Sequence, residues 1–352
     1  MKARSTLLCA VLPLCAGLHA SSPSTQEKTN PEKKGICSQK EVFTPNQVVD
    51  SHRVWVDAEV LFWQPNMGSL SYGVTSSSTS GIQNGHTKRP DFDWDAGVRV
   101  GLGYKIPHDN WDVLLQYTYF QGNAAGHAGH SGTVVYPSWA NAWNFAGPGL
   151  FYVNKARAHW RLNLNMGDIE LGRVCKPSSW LSLRPFLGVR GAVIDQDYHV
   201  KYSGGSAFPG DTDSVHLDSD FWGVGLRGGL DTLWGLGCGI GIYGNGSVSL
   251  LSGHFDVHET EHLNKARITR LNIKSHPSQV VAVADLALGL QWDYLFNNDR
   301  NHFGVKLGWE FNIFFNQNQL FNFRGTGTPG SLHFQKDDLT FQGVTLGFRL
   351  DF

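Results

Sequence analysis

Charge is scarce in this chain, and long apolar runs are scarcer. Of its 352 residues, 17% are charged, and 29 Lys and Arg balance 30 Asp and Glu to a net charge of -1. That balance leaves no electrostatic footprint for nucleic acid, so no nucleic-acid partner is expected. Beyond the N-terminus no apolar stretch reaches the ~18 residues a membrane-spanning helix needs, which argues against a helical membrane protein. No phosphate loop, zinc-type cysteine spacing or nucleophile elbow is present, so neither a cofactor nor a catalytic centre is expected. His127 and His130 lie in a glycine-rich stretch without further ligands; they read as solvated loop residues, and no metal site is expected. In abundance are 41 glycines, 12 tryptophans and 12% aromatics. Such a composition suits many twisted strands closed into a barrel.

Residues 1–20 have the form of a secretory signal peptide. Lys2 and Arg4 precede an apolar core from Leu7 to Leu18, and Ala20 offers a small residue for cleavage. Residues 21–51 are polar, with Pro23, Pro31 and Pro45, and read as a flexible periplasmic tail. The remainder, 52–352, reads as one domain.

Within it the signal has period 2, the spacing at which alternate side chains of a strand face opposite sides. Segment 92–106 sets Trp94, Ala96, Val98, Val100, Leu102, Tyr104 and Ile106 against Asp93, Asp95, Arg99, Lys105 and three glycines. Segments 54–64, 111–121, 156–174, 180–201, 220–234, 238–251, 278–295, 302–315 and 339–352 alternate similarly. Two change phase, near Gly167 and near Ile194, which suggests bulges. The connections run long (65–91), short (107–110), long (122–155), short (175–179), long (202–219), short (235–237), long (252–277), short (296–301), long (316–338). Short periplasmic turns alternating with long outer loops are the pattern of outer-membrane barrels. The expected fold is therefore all-β: a transmembrane antiparallel up-and-down β-barrel of about ten strands, with both termini periplasmic. The count becomes twelve if part of 132–153 or 265–274 pairs. A soluble β-protein would carry lysines and glutamates on its polar face, whereas here that face is mostly Gly, Asn, Asp and Arg.

The final strand, with Val344, Leu346, Phe348, Leu350 and Phe352 on one face, looks like the signal by which outer-membrane barrels are recognised for assembly. Phe348, Leu350 and Phe352 would carry it, with the barrel assembly machinery and outer-membrane lipid as partners. Ala58-Glu59-Val60-Leu61-Phe62-Trp63-Gln64-Pro65, Leu183-Arg184-Pro185-Phe186-Leu187-Gly188-Val189-Arg190-Gly191-Ala192 and the strand from Gly343 to Phe352 resemble the major outer membrane protein family of legionellae and chlamydia-like bacteria. That resemblance implies location in the outer membrane and a porin-like role; it transfers no catalytic residue.

Under the barrel reading, the lumen is lined by Arg99, Arg157, Arg161, Arg184, Arg190, Arg227 and Lys306 facing Asp57, Glu59, Asp93, Asp95, Asp231, Asp285 and Glu310. The favoured reading is that these charges select small hydrophilic solutes for passive diffusion through a porin-like barrel. The alternative is that they hold a narrow barrel closed, since eight strands barely clear their side chains and wide channels need about sixteen; such a barrel would act through its loops as an adhesin or antigen. A third reading takes Asp93-Trp94-Asp95 and Asp197-Tyr198-His199 as similar to the paired carboxylates and Asp-x-His of omptins, outer-membrane proteases. Three cysteines remain after the signal. Cys37, Cys175 and Cys238 are candidates for disulfide pairing within the chain, with another envelope protein, or with a second copy. Strand spacing places Cys175 and Cys238 roughly 14 Å apart along the wall, which disfavours a bridge between them without turn movement.

Overall fold

The computed structural model describes residues 53–82, 84–107, 110–130, 132–140, 151–297, 301–324 and 331–352. The wall has ten strands: β1 (Val54–Met67), β2 (Asp95–Lys105), β3 (Trp111–Ala128), β4 (Lys155–Arg173), β5 (Leu181–Gly204), β6 (Phe208–Gly237), β7 (Ile240–Leu263), β8 (Ser278–Phe296), β9 (Asn301–Asn318) and β10 (Asp337–Asp351). Each pairs antiparallel with the next, and β10 pairs with β1 from Trp55↔Asp351 to Met67↔Leu339. The sheet is thereby closed, which leaves no edge of unpaired backbone groups within lipid.

Crossing a bilayer takes about 9–11 tilted residues per strand. β5 has 24 residues and β6 has 30. The wall therefore projects far beyond the membrane on the side of the long connections. The side chains mark where the membrane ends. In the lower half the outward positions are apolar and exposed, among them Val98, Val100, Leu102, Leu187, Val189, Leu226, Leu288 and Phe348. Trp94, Trp222 and Trp309 also face outward there, as girdle residues do. In the projecting half the preference inverts. β4 turns Arg157, His159 and Arg161 outward and buries Ala158, Trp160, Leu162 and Leu164; β5 turns Asp195, Asp197 and His199 outward and buries Ile194, Tyr198 and Val200.

This inversion corrects the expected bulges. The β4–β5 register runs unbroken from Phe186↔Gly172 to Ser203↔Lys155, through both Gly167 and Ile194. The backbone keeps its period; the surroundings exchange. Below the boundary the outside is lipid and the inside polar, and above it the outside is water and the inside a packed core. The outer connections are corrected with it. The expected loop 202–219 is mostly strand, closed by a tight turn at Gly204 and Gly205, both in the left-handed region (φ 74° and 69°) that favours glycine. In 252–277, β7 continues to Leu263 and pairs with Ile268–Ser275. Val134–Pro137 joins Gly73–Ser76 and His86–Lys88 in a small separate sheet, so the wall stays at ten strands.

That outer layer roofs the lumen. From the inner wall of β5, Tyr198 donates its hydroxyl to Leu70 O (2.7 Å) and Tyr202 to Tyr72 O (2.6 Å). Trp139 Nε1 donates to Ser71 O and Asn318 Nδ2 to Gly68 O. Leu70, Tyr72 and Trp139 are buried beneath.

At the opposite end Cys175 and Cys238 are each in a disulfide. The turns carrying them lean together, with Gly235 N–H donating to Trp180 O at 2.8 Å. Cys37, like the signal and tail, lies outside the described residues.

Among the described residues the projecting half also buries the acids Asp213, Glu259 and Glu261. Burial, and then the neighbouring Glu261, pushes Asp213 up to about 8. Burial pushes Glu259 up to about 8, although Phe323 N–H donates to it. Their ordinary values are 3.8 and 4.5. A carboxyl raised in the folded state favours folding most below its ordinary value, and that contribution is lost as pH rises through the folded one. Amide protection in 208–221 and 255–263 is therefore expected to fall between pH 5 and 9 and then level, with Asp213→Asn/Glu259→Gln flattening the profile. Protection that does not change with pH in the unaltered protein would refute this.

Candidate functional site

The lower half of the barrel encloses a charged chamber. Of the residues expected in the lumen, Asp57, Glu59, Arg99, Arg184, Arg190, Arg227, Asp231, Asp285, Lys306 and Glu310 line it. Glycines on the inner faces make room for them and for the aromatics between. A Cβ on Gly103 would fall 1.9 Å from the Trp55 ring, so the indole occupies the place of a side chain on β2.

The charges fall into two networks. In the first, Arg99 forks onto Glu310 (Nη1–Oε1 2.9 Å, Nη2–Oε2 3.0 Å) and reaches Glu59 at 2.8 Å, while its Nε donates to Thr118. Lys306 closes the group on Glu59. In the second, Arg190 forks onto Asp168 (2.7 and 2.9 Å) and reaches Asp285 at 2.7 Å, where Ser247 also donates. Arg227 shares Asp168, and Arg184 ties Asp112, Glu170 and Asp231 at 2.6, 3.0 and 2.8 Å. Nearer the turns His302 sits between Asp293 (2.9 Å) and Asp351 (2.5 Å), joining β8, β9 and β10. The bidentate geometry uses the planar guanidinium, which a lysine could not replace.

Four expected residues stand elsewhere. Asp93 is exposed at the outer rim, where its N–H donates to Asn123 O. Asp95 accepts from Asn123 N–H at 2.8 Å above the chamber. Arg161, with Arg157, points outward because β4 is already above the membrane there. The expected luminal charges did not include Asp168, Glu170 or Asp112, although the alternation of 111–121 puts Asp112 on its polar face. Counting in twos from Trp160 through the supposed bulge reaches the first two.

An aromatic layer closes the chamber above. Trp63, Phe120 and Phe341 pack mutually at 5.5–5.8 Å between centroids, with Phe314 against Phe341 at 6.1 Å. Arg99 lies 5.4 Å from the Trp63 ring centroid. Phe120, Phe341, Ile194 and Val281 have no exposed surface at all.

The omptin-like motifs do not converge. Asp197 and His199 face outward on β5, and β3 and β4 separate β5 from β2. His127 and His130 lie 6.2 Å apart between ring centroids. Phe348, Leu350 and Phe352, the expected assembly signal, all face outward, and Phe352 N–H donates to Val54 O.

Ten antiparallel strands closed on themselves, with an outward apolar belt and a polar interior at the same height, define an outer-membrane β-barrel. The chain belongs to the family described as Legionella pneumophila major outer membrane protein precursor, matched over residues 50–352. No protein of curated function matches it significantly in sequence. Among solved structures it is similar to the outer membrane protease OmpT of Escherichia coli, at 11% identity and TM-score 0.45, covering 89% of this chain and 100% of that one. It is also similar to the P. putida toluene transporter TodX (10%, TM-score 0.30, covering 90% and 98%) and a Pseudomonas aeruginosa FadL homologue (6%, 0.25, covering 86% and 90%). These likenesses concern the barrel and carry no activity across.

Proposed function

We propose that this chain forms a closed outer-membrane barrel that acts through its projecting surface, as a structural and adhesin-like element, and is not a catalyst. The observation that carries this reading is the absence of exposed surface on Phe120, Phe341, Ile194 and Val281 above the chamber. A lumen whose lining water cannot touch does not pass hydrated solutes. The roof of Leu70, Tyr72 and Trp139 adds a second barrier.

Porin-like diffusion is the second reading, favoured by the chamber. Nine carboxyl side chains face seven Lys and Arg side chains there. If the roof and the aromatic layer move aside, that excess favours cations, because luminal charge sets the local counter-ion concentration.

Planar-bilayer recording separates the two. The folded protein is expected to show no steady conductance. A steady conductance that prefers cations, and whose preference weakens on Glu310→Gln, would replace the closed reading with the porin-like one.

A further inference from the structure

The outer wall of the projecting half carries a cluster that neither reading uses. His199 of β5 is directly opposite His216 of β6, and Asp197 is directly opposite Asp218 one outward position nearer the membrane. Both pairs face away from the lumen, so the four side chains mark the corners of one rectangle. Its sides are about 5 Å across the strands and about 6.8 Å along them. His258 of β7 is opposite Asp218 and places Nδ1 3.9 Å from its carboxylate. The rectangle stands two outward positions above Trp222, clear of the apolar belt.

The imidazoles of His199 and His216 are stacked, with centroids 3.8 Å apart and planes at 15°. His199 Nε2 is out of solvent and has no hydrogen-bond partner among the described residues. Its other neighbour across the sheet, His159, is already engaged, accepting from Arg161 Nε at 2.9 Å. Two adjacent imidazoles with two carboxylates beneath them form the mixed nitrogen and oxygen donor set that suits Zn²⁺, Ni²⁺ or Cu²⁺ rather than Mg²⁺ or Ca²⁺. We propose that His199, His216, Asp197 and Asp218 bind one divalent first-row transition ion on the outer wall. Among the described residues no three such ligands are already gathered on a point. Binding therefore requires the stacked rings to turn about their side-chain bonds; His199, His216 and Asp218 are partly exposed and Asp197 is exposed.

The test is titration of the tag-free, detergent-folded full barrel with Zn²⁺ by calorimetry and with Cu²⁺ by electron paramagnetic resonance. One equivalent is expected to bind, and the Cu²⁺ spectrum to show coupling to at least two imidazole nitrogens. His199→Ala/His216→Ala is expected to abolish saturable binding. Asp218→Asn is expected to weaken it by roughly 10–100-fold, whether the carboxylate binds the ion or orients the rings. His127→Ala is expected to change nothing. Heat-modifiable migration verifies that each variant folds, and the Cu²⁺ spectrum of the unaltered protein reads the ligands without any variant. No saturable binding, a spectrum with fewer than two nitrogens, or unchanged affinity in the double variant would each overturn the assignment.

Discussion

Replacing Arg190 by methionine is expected to destabilise the barrel by about 3–5 kcal/mol, the cost of removing one partner from a buried ion pair. Arg190 is 1% exposed and donates three charge-assisted hydrogen bonds, two to Asp168 and one to Asp285. Methionine fills much of the same volume, so the loss is electrostatic rather than a cavity. Both carboxylates would then rely on Arg227, which already bonds Asp168 and lies 3.7 Å from Asp285. One guanidinium cannot fork onto both. Arg190→Met/Asp168→Asn/Asp285→Asn is expected to recover much of the loss, because a network neutralised together leaves no bare charge. Arg161→Met supplies the contrast. It faces solvent on the same sheet, where an exposed polar contact contributes about 0–1 kcal/mol. Urea unfolding in lipid vesicles measures all three variants. A cost below about 1 kcal/mol for Arg190→Met would mean that water screens the network and that the chamber is wider than its ion pairs imply.

The two arginines show how far sequence reading carries. Both sit in alternating segments and both read as luminal, but only Arg190 is. Strand existence, order and face were legible wherever lipid lies on one side, as in 94–106, because lipid and lumen impose opposite preferences there. The same rule misleads above the membrane. Between Trp160 and Asp168 the inward set passes from apolar to charged while the backbone holds one register, and a polarity inversion looks like a slip of one residue. Loop lengths misled for a related reason: Asp211, Asp213 and Asp218 look like loop, yet water outside and a core inside support a strand there. The partners of each luminal charge were not legible, since Arg190 meets Asp285 across 95 residues and across the lumen. The roof was not legible either, because Tyr198 and Tyr202 recognise backbone carbonyls, which carry no residue type.

Trp160→Ala tests the inversion directly. Trp160 has no exposed surface and meets Phe92 edge-on at 5.2 Å between centroids. If the projecting half has a core like that of a water-soluble protein, removing the indole should cost about 3–5 kcal/mol, since transfer and cavity terms add. Leu226 provides the comparison: it is 75% exposed on the lipid face of β6. Lipid or detergent fills the space left by Leu226→Ala, so no cavity forms, and the expected cost stays within the roughly 0.8 kcal/mol per CH₂ of solvation for the atoms lost. The location of the damage is also predicted. Hydrogen exchange should quicken in the upper parts of β4 and β5 in Trp160→Ala, while 165–173 and 181–193, held by lipid and by the Arg190 network, keep their protection. A cost near zero for Trp160→Ala would mean that the upper lumen is wet and would remove the ground for a closed barrel. Equal loss of protection in both halves would mean that the two cores, although opposite in polarity, fold and open as one unit.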